Sequence, residues 1–436
     1  MKIYSVGYAL LKEIVKIPYR LFYSKIRIIG LENIPKDKPI ILAPNHQNAL
    51  MDPLIMIFSM PRQIVFLARG DIFKGKILVK LLTFLKIMPV YRQHDGKESL
   101  KKNEEIFDRS VDYLTDNGVF CLFPEAIHNP HRNLRPLKKG IPRIAFMAMK
   151  KSNFTLDIQI IPTGIYYEDK NRSNSYLQVK YGKPIAVKDY IEQIKENEQK
   201  AMSQLSADMS SPIKSLIIDI EENENYELVE NIRALYSNTL LKRFDKEIND
   251  ENRFEMDQKL ASYIKQINLS DSLRSDLREL TEKMKVNEWS FKTIVNELKL
   301  FSIISRLFAF ALLLPIAIQG AVINAIPYGL SHILRTKVIK DPQFTSSINF
   351  VVGAFIFPIY FSILSLISFV FIEYYFAILV LFLTPVTAYI SYFYFKKLNI
   401  LKQEISYKYS SKGKVIDVLK NKIFKQLDVM FEDFKI

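Results

Sequence analysis

The sequence predicts an α/β head, built on a mixed, mostly parallel sheet flanked by helices, followed by an all-α spacer and a helical membrane region. Three observations predict it. Between residues 26 and 186, short β-branched apolar runs alternate with segments of helical period, the pattern of strands joined by helical crossovers. From Lys183 to Gln319 there is no glycine, and from Ile213 to Leu314 no proline, in a tract rich in Glu, Lys, Leu and Asn. Three long uncharged runs then lie between Leu307 and Phe395.

The first element is 3-IYSVGYALLKEIVKIPYRLFY-23, where Val6, Leu10, Leu11, Ile14, Val15 and Ile17 recur near helical spacing with lysines between them. Lys12, Lys16 and Arg20 interrupt what would be the apolar core of a cleavable signal. Residues 1–25 therefore read as an amphipathic helix, either lying on anionic membrane lipid or packed into a core. Strand candidates follow at 26–31, 39–44, 64–69, 87–91, 118–124, 158–167 and 175–182. Helical stretches near 48–60, 72–86, 97–116 and 138–151 separate them, and residues 26–200 make one domain.

After Pro212 no glycine or proline interrupts the chain as far as residue 300, and no catalytic spacing occurs, so residues 201–300 read as a charged helical spacer or lid. Residues 301–396 make the membrane region. Its uncharged runs, Leu307–Ser331, Pro342–Ile372 and Tyr374–Phe395, each exceed the roughly 20 residues that cross a bilayer. If all three crossed, Arg335, Lys337, Lys340, Lys396 and Lys397 would lie opposite a cytoplasmic head, against the bias of positive charge to the inside. Pro315, Gln319, Gly320, Asn324 and Pro327 interrupt the first run, so 307–331 is expected to be re-entrant, with spans at about 347–371 and 375–395. A multi-pass membrane protein with its head on the cytoplasmic side follows. In the tail, 397–436, Ile416, Leu419, Ile423, Leu427 and Met430 share one helical stripe that could pack on the spacer or on the membrane.

Charge narrows the partners. A formal net charge of +15 over 436 residues suits an anionic surface. No aromatic-basic nucleic-acid module accompanies it, which favours phospholipid over nucleic acid. Cys121 is the only cysteine, so no internal disulfide can form, and its strand-like setting in 118-GVFCLFP-124 makes it a small buried apolar residue.

In open α/β sheets chemistry gathers in loops beyond the strand ends. There the sequence 44-PNHQNALMDP-53 sets His46 directly after a strand, with Asp52 six residues on. Histidine is the side chain suited to take a proton from a hydroxyl near neutral pH, and a carboxylate on its far nitrogen fixes the tautomer and stabilises the imidazolium. Six residues of ideal helix turn through roughly 240°, so the pair meets only if a turn intervenes near Asn45–Asn48. Three further stretches lie at strand ends. Arg92 ends 88-MPVYRQ-93, where its fork suits phosphate. Pro124 and Glu125 lead into a loop carrying Arg132, Arg135, Lys138 and Lys139. Pro162 and Gly164 in 159-QIIPTGIYY-167 imply a backbone bent for close approach, or an edge-strand bulge.

Taken in order, 45-NHQNALMDP-53, 88-MPVYR-92, 123-FPEA-126 and 160-IIPTGI-165 resemble the glycerolipid acyltransferases of the lysophospholipid acyltransferase superfamily, over about residues 25–200. That family's pattern is a histidine–aspartate box, a strand ending in arginine, a Phe-Pro-Glu-Gly box and a proline-containing apolar strand. Five residues rather than four separate His46 from Asp52, which with the downstream apolar runs looks more like the branch acylating glycerol 3-phosphate or dihydroxyacetone phosphate. Ala126 replaces the usual glycine. The resemblance implies that His46 deprotonates the acceptor hydroxyl for attack on acyl-CoA or an acyl-carrier-protein thioester, while Asp52 orients the ring. It further implies that Arg92 holds the phosphate of a phosphorylated glycerol acceptor, that Glu125 binds its polar end, and that Arg135 and Lys138 add positive field. Asn45, Pro124 and Gly164 complete the expected acceptor site, and no metal or other cofactor is called for. Two alternatives stay open: acylation of 1-acyl-glycerol 3-phosphate to phosphatidate, and a metal-dependent hydrolase using His46, Asp52, His128 and His131. A third, a silent membrane scaffold, predicts no chemistry at His46.

Overall fold

A computed structural model describes residues 6–73, 75–90, 97–295 and 298–435, with only the backbone described at residues 69, 71, 77, 78 and 97–104. The chain divides into two units, Met1–Asp219 with Asp341–Phe350, and Ile220–Lys340 with Val351–Ile436.

The first unit follows the expected alternation. Its elements are α1 (Val6–Phe22), β1 (Lys25–Ile29), β2 (Ile40–Pro44), α2 (Met51–Ser59), β3 (Ile64–Arg69), α3 (Lys76–Phe84) and β4 (Ile87–Val90). After them come α4 (Lys97–Thr115), β5 (Val119–Cys121), α5 (Gly140–Lys151), β6 (Gln159–Tyr167), β7 (Tyr176–Tyr181), β8 (Ile185–Ala186) and α6 (Ile191–Leu216). The strands form one sheet in the order β1-β7-β6-β2-β5-β3-β4, with β8 beside β6. Strands β6, β2, β5, β3 and β4 run parallel, whereas β7 and β8 pair antiparallel to β6. Burial explains the uninterrupted apolar runs: every residue of β2, β5 and β6 is buried, as expected of parallel strands covered on both faces. Helices α4, α5 and α6 contribute Ile106, Phe146, Met149, Leu205 and Met209 to the core built on them. The expected domain end at residue 200 falls inside α6, whose apolar face belongs to this core, and the unit continues to Asp219.

Pro162 and Gly164 sit in a central strand rather than at an edge. Strand β8 pairs with Gln159–Ile160 and β7 with Thr163–Tyr167, so Pro162, which has no N–H to give, falls in the gap between two partners. What approaches Gly164 is the end of α6: a Cβ there would meet the Leu216 carbonyl oxygen at 2.5 Å. The close approach read from the sequence is thus helix-on-sheet packing.

Helix α1 docks through one side. Tyr19 and Tyr8 are buried, Tyr19 Oη donates to the Met51 carbonyl at 2.9 Å, and Lys12 Nζ donates to that of Met60 at 2.9 Å. Val6, Leu10, Ile14, Ile17 and Leu21 stay exposed, Val6 by 74% and Leu21 by 79%. The predicted amphipathic stripe therefore points outward, with Leu11 and Val15 half-buried at its border.

The second unit is helical: α7 (Tyr226–Arg243), α8 (Asp250–Ile264), α9 (Asp271–Val286), α10 (Phe291–Val295), α11 (Leu300–Ile323) and α12 (Ala325–Ile333). Helix α13 (Thr345–Val351) passes from the first unit into the second, where α14 (Phe357–Phe371), α15 (Tyr374–Tyr409) and α16 (Ser411–Met430) follow. A buried ion pair, Arg233 to Asp257 at 2.7 Å, ties α7 to α8. The tail stripe packs on the spacer: Ile416, Leu419, Ile423 and Leu427 are buried, and Lys422 on α16 reaches Asp276 on α9 at 2.8 Å.

Three helical stretches, Leu300–Ile323, Pro342–Phe371 and Tyr374–Tyr409, are long and apolar enough to cross a membrane. Of the residues expected to interrupt the first run, Pro315, Gln319 and Gly320 lie inside the helix Leu300–Ile323, Asn324 ends it, and Pro327 falls in the first turn of α12. Gly320 serves helix packing there, since a Cβ would lie 2.3 Å from the Thr387 carbonyl oxygen on α15. The second stretch, Pro342–Phe371, coincides with the expected run to within one residue and begins in the first unit. Residues 347–350 belong to the first unit, with Ser347, Ile348 and Phe350 buried.

Candidate active site

The parallel pairing of β2 and β5 builds the site. Their register sets Leu42 opposite Cys121, so four residues further on both chains the loops bring His46 beside Glu125. The His46 N–H donates to Glu125 Oε1 at 2.8 Å and the Arg135 N–H to Oε2 at 3.0 Å. The His46 carbonyl accepts from the N–H of Asn129 at 2.7 Å, and the Pro124 carbonyl from that of Lys138 at 2.8 Å. Glu125 is only 2% exposed, and burial pushes its carboxyl up to about 7 against the pull of the two amides.

A loop over residues 45–50 supplies the turn that the His46–Asp52 spacing requires, and Asp52 falls in the first turn of α2. His46 Nδ1 lies 2.8 Å from Asp52 Oδ2, which also accepts from the N–H groups of Gln47 and Asn48, each at 2.7 Å. Asp52 Oδ1 accepts from Tyr167 Oη at 2.6 Å. The carboxylate is fully buried, and four donors replace its lost water. Burial and the Asp52 charge in turn hold the Tyr167 hydroxyl well above its ordinary pKa, keeping it a donor.

The His46 ring stacks on Phe123, with centroids 4.1 Å apart and planes at 22°, and meets the edge of His128 at 5.6 Å. Its Nδ1 is committed to Asp52, so Nε2 is the nitrogen placed to exchange a proton with a bound group.

Several expected acceptor residues are committed to the framework instead. Asn45 is 1% exposed; its amide accepts from the Ile165 N–H at 2.6 Å and donates to the Ile165 carbonyl at 3.1 Å, clasping the His46 loop to β6. Gly164 packs under α6, and Pro124 is buried. Arg132 gives its guanidinium to the carbonyls of Tyr167 and Glu168. Arg135 is half-buried and Lys138 exposed on the same loop. Arg92 lies outside the described residues; β4, which leads to it, ends at the same edge of the sheet two strands from β5. Among the described residues no three His, Cys, Asp or Glu side chains converge as a metal site. Cys121 is fully buried and burial raises its thiol pKa, as its setting predicted.

Ala126 takes φ +65°, the left-handed conformation in which glycine is at ease. The backbone shape survives without the glycine, at the cost of strain in the loop. Tyr167, Asn129 and Phe123 escaped the sequence reading. Tyr167 had one available signal, its position at the C-terminal end of the Pro162–Gly164 strand.

A mostly parallel sheet with a buried His–Asp pair beyond its strand ends makes this an α/β domain with a candidate acid–base centre. Residues 25–166, about a third of the chain, match the Acyltransferase family, and this part of the chain resembles the glycerolipid acyltransferases of the lysophospholipid acyltransferase superfamily. Glycerol-3-phosphate O-acyltransferase 2 of Saccharomyces cerevisiae is 26% identical over 135 residues, which are 31% of this chain and 18% of that one. The 1-acyl-sn-glycerol-3-phosphate acyltransferase of Borreliella burgdorferi is 26% identical over 174 residues, 40% of this chain and 66% of that one. Among solved structures, the 1-acyl-sn-glycerophosphate acyltransferase of Thermotoga maritima covers 46% of this chain and 80% of its own, at 18% identity and a TM-score of 0.32. The chain thus spans less than two thirds of either curated relative's length.

Proposed function

We propose that this chain is a membrane-bound O-acyltransferase of phospholipid biosynthesis that moves a fatty acyl group from acyl-CoA or acyl-carrier protein to glycerol 3-phosphate or dihydroxyacetone phosphate. The observation that carries the reading is the His46–Asp52 pair, with Nδ1 bonded to a fully buried carboxylate and Nε2 left to act. His46 Nε2 takes the proton of the acceptor hydroxyl as its oxygen attacks the thioester carbonyl. The tetrahedral intermediate collapses, the C–S bond breaks, and the imidazolium returns its proton to the departing thiolate. Asp52 holds the ring and stabilises the imidazolium.

Arg92, Arg135 and Lys138 are proposed to receive the acceptor's phosphate, the Arg fork as a bidentate ligand. For Glu125 the geometry favours a different role from glycerol binding. Both oxygens hold backbone amides, so it joins the His46 loop to the Arg135 loop and fixes base and cations relative to each other. The outward stripe of α1, with Lys16 and Arg20 beside it, suits anionic lipid at a bilayer surface, and the three apolar helices suit a multi-pass anchor with the head in the cytoplasm.

The acceptor has a second candidate, 1-acyl-glycerol 3-phosphate, favoured by the Borreliella relative's longer aligned share. One experiment separates them: purified protein is offered labelled acyl-CoA with glycerol 3-phosphate, dihydroxyacetone phosphate and lysophosphatidate in parallel. Turnover on glycerol 3-phosphate or dihydroxyacetone phosphate that His46→Ala abolishes is expected; none with any acceptor, or turnover that survives the substitution, defeats the reading.

A further inference from the structure

The segment Asp341–Phe350 holds the start of the uncharged run Pro342–Ile372 and the first residues of its expected span at about 347–371, yet it folds as part of the first unit. Four of its residues, Phe344, Ser346, Ser347 and Phe350, fix it there. Ser347 Oγ accepts from the Leu50 N–H at 3.1 Å, at the start of the helix that carries Asp52. Ser346 Oγ donates to the Lys170 carbonyl, which also accepts from Asn48 Nδ2 at 2.9 Å. Phe350 packs edge-on against Tyr19 at 5.6 Å and Phe22 at 5.9 Å. Phe344 meets the His128 ring edge-on at 5.3 Å, and His128 meets His46 in the same way at 5.6 Å.

A continuous row of rings therefore runs Phe123–His46–His128–Phe344, with the proposed base inside it. We propose that Phe344 is a specificity-determining residue whose ring walls the site on the side where the acyl chain of the thioester lies. This rests on the acyl-transfer reading of His46. The chemistry of the segment favours the acyl chain over the phosphorylated acceptor. Phe344 offers apolar surface, and Asp341, 3.9 Å from His128 Nε2, sets a carboxylate where a phosphate would be repelled. The Ser347 bond makes the wall rigid relative to the helix bearing Asp52, as a specificity surface needs to be.

The test uses the full chain in detergent micelles with octanoyl-, dodecanoyl- and hexadecanoyl-CoA and a single saturating acceptor. Phe344→Ala is expected to change the ratio of kcat/KM between hexadecanoyl- and octanoyl-CoA by about fivefold or more, with the acceptor KM within about twofold of wild type. Phe344→Trp should move the preferred chain to a shorter one, and Phe344→Leu should largely restore the wild-type profile. An active wild type whose chain-length profile is the same in the Ala and Trp variants overturns the proposal, as does a change confined to acceptor KM. If Phe344→Ala does not fold, the Trp and Leu profiles decide. A wild type with no turnover on any thioester defeats the acyl-transfer reading itself, a result distinct from an unchanged profile.

Discussion

Tyr167 donates its phenolic hydrogen to Asp52 Oδ1 at 2.6 Å across a separation of 115 residues in the chain. The contact joins the end of β6 to the first turn of α2 and fills the one oxygen of Asp52 that His46 does not use. Tyr167→Phe leaves the ring and removes the bond. A hydrogen bond to a charged group is worth about 1.5–3 kcal/mol, so kcat is expected to fall about tenfold or more, with both KM values nearly unchanged. Steady-state kinetics of the wild type and the variant at saturating donor and acceptor check this.

Asp52→Asn keeps the volume and loses the charge. Three donors converge on Oδ2, and an amide group can satisfy them only through its oxygen, which forces its NH2 towards Tyr167. Turnover is expected to drop by about three to four orders of magnitude, as when a triad carboxylate is lost. Steady-state rates at saturating donor and acceptor check this.

Ala126→Gly should stabilise the protein. At φ +65° an alanine pays a steric cost that glycine does not, partly offset by the greater freedom of glycine in the unfolded chain. A gain of about 0.5–1 kcal/mol in denaturant unfolding is expected, with activity retained.

Glu125 predicts a pH dependence of stability. Its folded pKa of about 7 stands above the unfolded value of 4.5, so the folded state binds more protons between those values. The contribution is complete below about pH 4.5 and is lost as pH rises through about 7, amounting to a few kcal/mol at most. Denaturation of wild type and Glu125→Gln across that window should show the wild type losing stability relative to the variant as pH rises. Equal slopes would remove Glu125 as the source.

Much of this architecture was legible because its signals are local. Apolar runs and their breakers marked the strands and helices of the head to within a few residues, and the His46–Asp52 spacing announced a turn that the loop 45–50 provides. What escaped depends on long-range pairing. Glu125 meets the His46 backbone because β5 lies next to β2, and Asn45 is consumed by Ile165 because β6 lies on its other side. Residue type alone therefore assigned both to a ligand. Gly164 showed correctly that something comes close, and only the fold shows that it is Leu216. Hydropathy likewise cannot tell that Ile348 and Phe350, at the start of an uncharged run, are buried within the first unit.

The strand order also constrains how the molecule is made. Strand β1 pairs with β7, and one side of β2 with β6, so Lys25–Ile29 meet their partners at Tyr176–Lys180 and β2 completes its pairing at Gln159–Thr163. During synthesis β1 and one edge of β2 must wait unpaired until well over a hundred further residues have left the ribosome. Such non-local closure is slow and exposes sticky edges. A nascent chain of this kind is expected to depend on a holding chaperone, or on early capture of α1 by a membrane surface, to reach its native state.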